Sequence, residues 1–100
     1  MSKSLDKNGY ATSILDTNSG EDFWSKQESH LTVRHEIYFG NKNRSISKAN
    51  GFWVYLSPAS HEYIHSNIHA DQILKEECQL LFEETHTREE FRTLIGRSYL

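Results

Sequence analysis

Apolar and polar residues alternate along Leu31-Thr32-Val33-Arg34-His35-Glu36-Ile37-Tyr38-Phe39, with Leu31, Val33, His35 and Ile37 on one side and Thr32, Arg34, Glu36 and Tyr38 on the other. A period of two predicts a β-strand. It also means that His35 and Glu36 share a pocket only if the strand ends or bulges there. A second strand is predicted at Phe52-Trp53-Val54-Tyr55-Leu56, an aromatic and β-branched run. The stretch between them, from Gly40-Asn41-Lys42-Asn43-Arg44 to Asn50-Gly51, is rich in turn formers and reads as a long loop closing a hairpin. Pro58 stops the second strand, and Ser57 to Ile68 reads as an irregular, His-rich connection. The period then lengthens. Ala70, Ile73, Leu74, Cys78, Leu81 and Phe82 form an apolar stripe at helical spacing, predicting a helix from about His69 or Ala70 to Glu84. Thr87 and Glu90 make a capping-box pattern. A short second helix is therefore expected from Arg88, burying Phe91, Leu94 and Ile95 and stopping at Gly96. The predicted fold class is α+β, with a polar, weakly patterned arm over residues 1–22 and a single domain over residues 23–100.

The chain of 100 residues allows one compact domain with a core near the lower limit for independent stability. Its one cysteine excludes a disulfide framework and fits a reducing compartment; Cys78 reads as a small buried apolar residue. No apolar run approaches the ~20 residues that span a bilayer, and Met1-Ser2-Lys3-Ser4-Leu5 has no signal-peptide core. A cytoplasmic protein without a membrane partner is expected. The net charge of −3 does not advertise nucleic-acid binding, but its distribution changes the picture. Arg34, Lys42, Arg44 and Lys48 face only Glu36 in the strand-and-loop region, whereas the helical half from Glu62 to Glu90 is strongly acidic. Such polarity suits a phosphate backbone on one face, and equally an ordinary solvated helix.

Six histidines concentrate the candidate chemistry. His35-Glu36 at a strand end, Asn43-Arg44 in the loop, then His61 and His69 supply an imidazole or carboxylate base, an amide to orient it, and metal ligands. That order resembles the His-Asn-His (HNH) nucleases. From about Thr12 to Leu100 the chain is similar to a family of small phage and prophage HNH-like proteins related to phage recombination-enhancement nucleases. The likeness runs through Ser13-Ile14-Leu15, His35 to Gly40, Asn43-Arg44 with Ser47, Gly51, Val54-Tyr55-Leu56, His61, Ile68-His69, Leu74-Lys75, Cys78, Phe82-Glu83-Glu84 and Phe91. It ends on Gly96-Arg97-Ser98-Tyr99-Leu100.

The resemblance implies a ββα-metal module in an infected or lysogenic bacterial cell, cutting DNA with a divalent metal, Mg²⁺ or Mn²⁺. It implies His35, Glu36 and Asn43 as catalytic residues, with one of His35 and Glu36 the ligand and the other the base. His61 and His69 would hold metal, and Arg44, Lys42 and Lys48 would contact DNA. The spacing of His61, His65 and His69 would align all three on one continuous helix, but the resemblance implies a loop there and does not include His65. His30 and His86 read as surface residues, and Tyr38, Phe39, Trp53 and Tyr55 as the core and its rim. Many family members bind structural zinc through cysteine pairs, which here fall on Phe23 and Lys26 and on Ser57 and Ser60, none of them thiolates. Structural zinc is therefore not expected. The loss of those cysteines and the acidic helical half also admit a different class of function, a catalytically degenerate inhibitor of a host defence system. A recombinase or a host defence protein is then a possible partner besides DNA, and a non-cleaving DNA-binding accessory lies between the two.

Overall fold

A computed structural model describes residues 5–100 of the chain; Met1 to Ser4 of the expected arm lie outside the described residues. The order is β1 (Val33–Glu36), α1 (Asn41–Asn50), β2 (Trp53–Leu56), α2 (Pro58–Ser66), α3 (Ile68–Phe82) and α4 (Arg88–Ile95). The α+β class holds: β1 and β2 form a two-stranded antiparallel sheet in which His35 opposes Val54 and Glu36 opposes Trp53. The strand ladder runs to Glu36, with one further bond from the Ile37 amide to the Phe52 carbonyl (2.9 Å), and the alternation of sides ends there. His35, Glu36, Ile37 and Tyr38 are all buried, while Leu31 and Val33 at the open end are exposed.

Two segments expected to be irregular are helices. The loop after β1 folds as α1, although Ile46 and Ala49 are its only apolar residues. Tertiary hydrogen bonds replace the missing apolar stripe. The buried Ser47 hydroxyl donates to the Tyr38 carbonyl (2.7 Å) and accepts from the Tyr38 amide, and Asn43 donates to the Ile95 carbonyl at the end of α4. Asn50-Gly51 is a helix terminator here, with Gly51 left-handed at φ 75°. A side chain there would also collide with the Thr12 carbonyl, so only glycine fits. The second correction is α2. Ser57 is its N-cap, accepting from the Ser60 amide, and Pro58 opens the helix as well as ending the strand.

The elements read from periodicity stand close to where the pattern put them. Ala70, Leu74, Cys78 and Phe82 of α3 are buried, whereas Ile73 is about half exposed. Thr87 and Glu90 form a reciprocal capping box, and Gly96 closes α4 in the left-handed region. Tyr38, Phe52, Phe82 and Phe91 meet edge-on or tilted in the core, with ring centres 5.3–5.6 Å apart for the three tightest pairs. The buried Gln79 accepts from the Tyr99 amide and donates to Ser98, which secures the C-terminal segment. Burial pushes the Cys78 thiol up to about 12, leaving it an unreactive core residue.

The N-terminal arm is part of the domain from Asp6 onward. Ala11 accepts from the Trp53 indole, Ser13 donates to the Trp53 carbonyl, and the Ile14 amide donates to Gly51. The carboxylate of Asp22 joins the arm to the start of α2. It is 2% exposed and accepts from the amides of Ser25 and Ser57 and from the Ser60 hydroxyl. Phe23 packs against the core, with the Lys26 ammonium 3.4 Å from its ring centre. Hydrogen bonds to one buried carboxylate thus join the 22–27 turn to the start of α2.

Candidate metal centre

The end of β1 lies against α2, and three imidazoles meet there. His61 and His65, one turn apart, present one face of α2 to His35. Ring centres are 5.3 Å apart for His35 and His61, 5.2 Å for His35 and His65, and 4.6 Å for His61 and His65. The Nε2 atoms of His61 and His65 are 3.1 Å apart, and one nitrogen from each of the three residues lies within 4.8 Å of the others. Tetrahedral coordination with ~2.0–2.1 Å bonds separates donor atoms by ~3.3–3.4 Å, so His61 and His65 already stand near that spacing and no pair of the three exceeds it by more than about 1.5 Å. Burial, then the neighbouring His61, His65 and Lys75, lowers His35 to about 3. His61 is lowered by burial and by His65, against a raising effect of Glu36. At neutral pH His35 and His61 are therefore the uncharged imidazoles that a cation needs.

The decisive atom is Nε2 of His35. The side chain is 2% exposed, and this nitrogen has no hydrogen-bond partner among the described residues. A buried polar atom left unpaired costs ~1–3 kcal/mol, a cost that coordination to a metal removes. The three histidines therefore fit a divalent ion, with His35 supplying the strand ligand and α2 the other two.

Around them lies a cavity of about 560 Å³, lined by the three histidines and by Glu36, Arg44, Asn41 and others. Glu36 is buried beside His35. One oxygen accepts from the Tyr10 hydroxyl (2.7 Å) and the other from Arg44 Nε (2.8 Å). Each carboxylate oxygen has two lone pairs, so acceptor capacity remains. Burial and then Glu36 push the Tyr10 hydroxyl up to about 12, which keeps it a donor. The guanidinium of Arg44 stands at the rim with its side chain 69% exposed.

The expected site residues divide. His35, Glu36, Arg44 and His61 are brought together. Asn43 is turned toward α4, where it bonds Ile95, because the segment carrying it is a helix rather than a loop. His69 is exposed on the first turn of α3 and is not a member of the cluster. The chain breaks helix at Asn67, so the continuous face through His61, His65 and His69 does not form. Lys42 is exposed on the first turn of α1, while Lys48 lies 4.8 Å from the Tyr10 ring and does not line the cavity. The cluster member absent from the expected set is His65. Its signal was the His61-x-x-x-His65 spacing, which carries meaning only once Ser57-Pro58 is read as a helix start. Comparison with protein-family models, curated proteins and solved structures finds no match to the chain.

Proposed function

We propose that the chain is an HNH-type, metal-dependent DNA endonuclease or recombination accessory nuclease of phage origin. The convergence of His35, His61 and His65 on a hairpin-and-helix unit, with an unpartnered buried nitrogen on His35, supports this reading most. An ion held there supplies Lewis-acid charge against a phosphodiester and lowers the pKa of water. The protein's own residues do the rest. His35 is the strand ligand, which gives Glu36 the complementary role of proton acceptor. Tyr10 and Arg44 fix the orientation of that carboxylate, and Arg44 offers its remaining N–H groups to the substrate phosphate. Arg34, at the same cavity, stacks over Tyr10 and pairs with Asp6, holding this wall in place.

The donor set also bears on the metal. Mg²⁺ or Mn²⁺ was the expectation with a carboxylate ligand. Three imidazole donors suit Zn²⁺ or Ni²⁺ better, and Mn²⁺ better than Mg²⁺. A degenerate, protein-binding relative is the second reading, favoured by Ile68, Ile73 and Leu80 exposed on α3 among Asp71, Glu76 and Glu77. Plasmid and single-stranded DNA incubated with pure protein and Zn²⁺, Ni²⁺, Mn²⁺, Mg²⁺ or EDTA separate the two. A nuclease cuts with at least one metal, stops in EDTA, and loses activity in His65→Ala. Plasmid and single-stranded DNA both left intact under every metal reject the enzyme and leave the binder.

A further inference from the structure

We propose that the N-terminus of α1 is the phosphate seat of this cavity, holding a nucleic-acid phosphodiester beside the three histidines. The inference rests on the metal-nuclease reading and adds to it the group that receives the substrate. Helix α1 has ten residues, begins after Gly40, and has no side-chain cap and no acid in its first turn. Its first bond runs from the Arg44 amide to the Gly40 carbonyl at 3.1 Å. The amides of Asn41, Lys42 and Asn43 therefore lack partners within the helix. The other three helices are closed by Ser57, Asn67 and Thr87.

This open end faces the site: Gly40 and Asn41 line the same cavity as His35, His61, His65 and Arg44. Gly40 sits at φ 99° and ψ 170°, a conformation almost reserved for glycine. A Cβ there would meet nothing within 4 Å, so the approach to the backbone is open. A sign of a ligand that does not depend on the helix is the buried His35, which lines the same cavity and whose Nε2 has no hydrogen-bond partner among the described residues. A cation at the histidines, free helix amides and an exposed guanidinium all favour one kind of occupant, a tetrahedral oxyanion. Glu36, the carboxylate nearest them, is already balanced by Arg44 and Tyr10. Lys42, exposed on the same first turn, adds positive charge to this end of the helix.

The test is Asn41→Asp. A carboxylate in the first turn suits the helix dipole and so preserves folding, while it competes with phosphate for the same amides. Lys48→Gln is the control, since it changes net charge by the same amount at a residue outside the cavity. Binding of inorganic phosphate and of a short single-stranded oligonucleotide is measured by titration, and Zn²⁺ affinity separately. Asn41→Asp is expected to weaken both phosphate ligands about tenfold without lowering Zn²⁺ affinity, while Lys48→Gln leaves inorganic phosphate unchanged. Equal binding by wild type and Asn41→Asp, equal losses in both variants, or no phosphate binding by wild type would overturn the seat. Loss of phosphate in Asn41→Asp with no Zn²⁺ bound by wild type would uphold the seat and reject the metal centre beside it.

Discussion

His65→Ala is expected to lower affinity for Zn²⁺ or Ni²⁺ by ~100-fold or more, while His69→Ala leaves it within about twofold. Structural zinc sites gain ~10–16 kcal/mol from four ligands, so each ligand carries roughly 3 kcal/mol, or about two powers of ten. His65 belongs to the cluster and His69 does not. Both are exposed, so neither replacement removes core packing, and thermal stability of the metal-free variants should stay within ~0.5 kcal/mol of wild type. His35→Ala is a less discriminating change because its ring is buried. Competition titration against a chromophoric chelator reads the affinities. Equal losses at residues 65 and 69, or a loss at 69 alone, would mean that α2 does not supply the second helical ligand.

Asp22→Asn is expected to destabilise the fold by roughly 2–3 kcal/mol at neutral pH, through weaker or unpaired donors at Ser25, Ser57 and Ser60. In this domain of 100 residues, each 1 kcal/mol moves Tm by ~4–8 °C, so the loss is visible in a thermal melt. Burial alone would raise the Asp22 carboxyl, but the hydrogen bonds from Ser25, Ser60 and Ser57 outweigh it and hold it below the ordinary 3.8. The sign follows from that depression. The unfolded chain takes up the proton first, so the carboxylate's contribution is complete well above pH 3.8. It is lost as pH falls through 3.8 toward the lower folded value. The gap between wild type and Asp22→Asn should therefore be constant near neutrality and narrow below pH 3.8. A gap that persists in acid, or no gap at any pH, would remove Asp22 as the link between the 22–27 turn and α2.

Much of the fold was legible because α3, α4 and β2 carry their own signals. Leu74, Cys78 and Phe82 lie on one face of α3, and Thr87 with Glu90 marks a helix start whatever surrounds it. Helices α1 and α2 lack such signals. In α1 the segment's order comes from Ser47 binding Tyr38 and Asn43 binding Ile95, contacts between residues distant in sequence. Asn50-Gly51 has the same composition as a hairpin turn, and only its setting makes it a helix terminator. Pro58 was ambiguous for a similar reason, since the residue that ends a strand also opens a helix.

The site inherited these limits. His35, Glu36 and Arg44 follow from strand and sequence order, whereas His61 came from the family resemblance alone. Asn43 and His69 were misjudged because α1 turns the first away and the break at Asn67 separates the second from α2. His65 became visible only with α2 itself, and Asp22 only with the buried donors around it. Strand pattern points to His35 and the resemblance to His61, whereas only the tertiary structure brings in His65.

X-ray absorption at the zinc edge, on protein loaded with one equivalent of Zn²⁺, tests the metal centre most directly. Three imidazole nitrogens at ~2.0–2.1 Å, falling to two in His65→Ala and remaining three in His69→Ala, is the result expected. Coordination by oxygen alone, no stoichiometric zinc, or an imidazole count unchanged in His65→Ala would contradict a centre built from His35, His61 and His65.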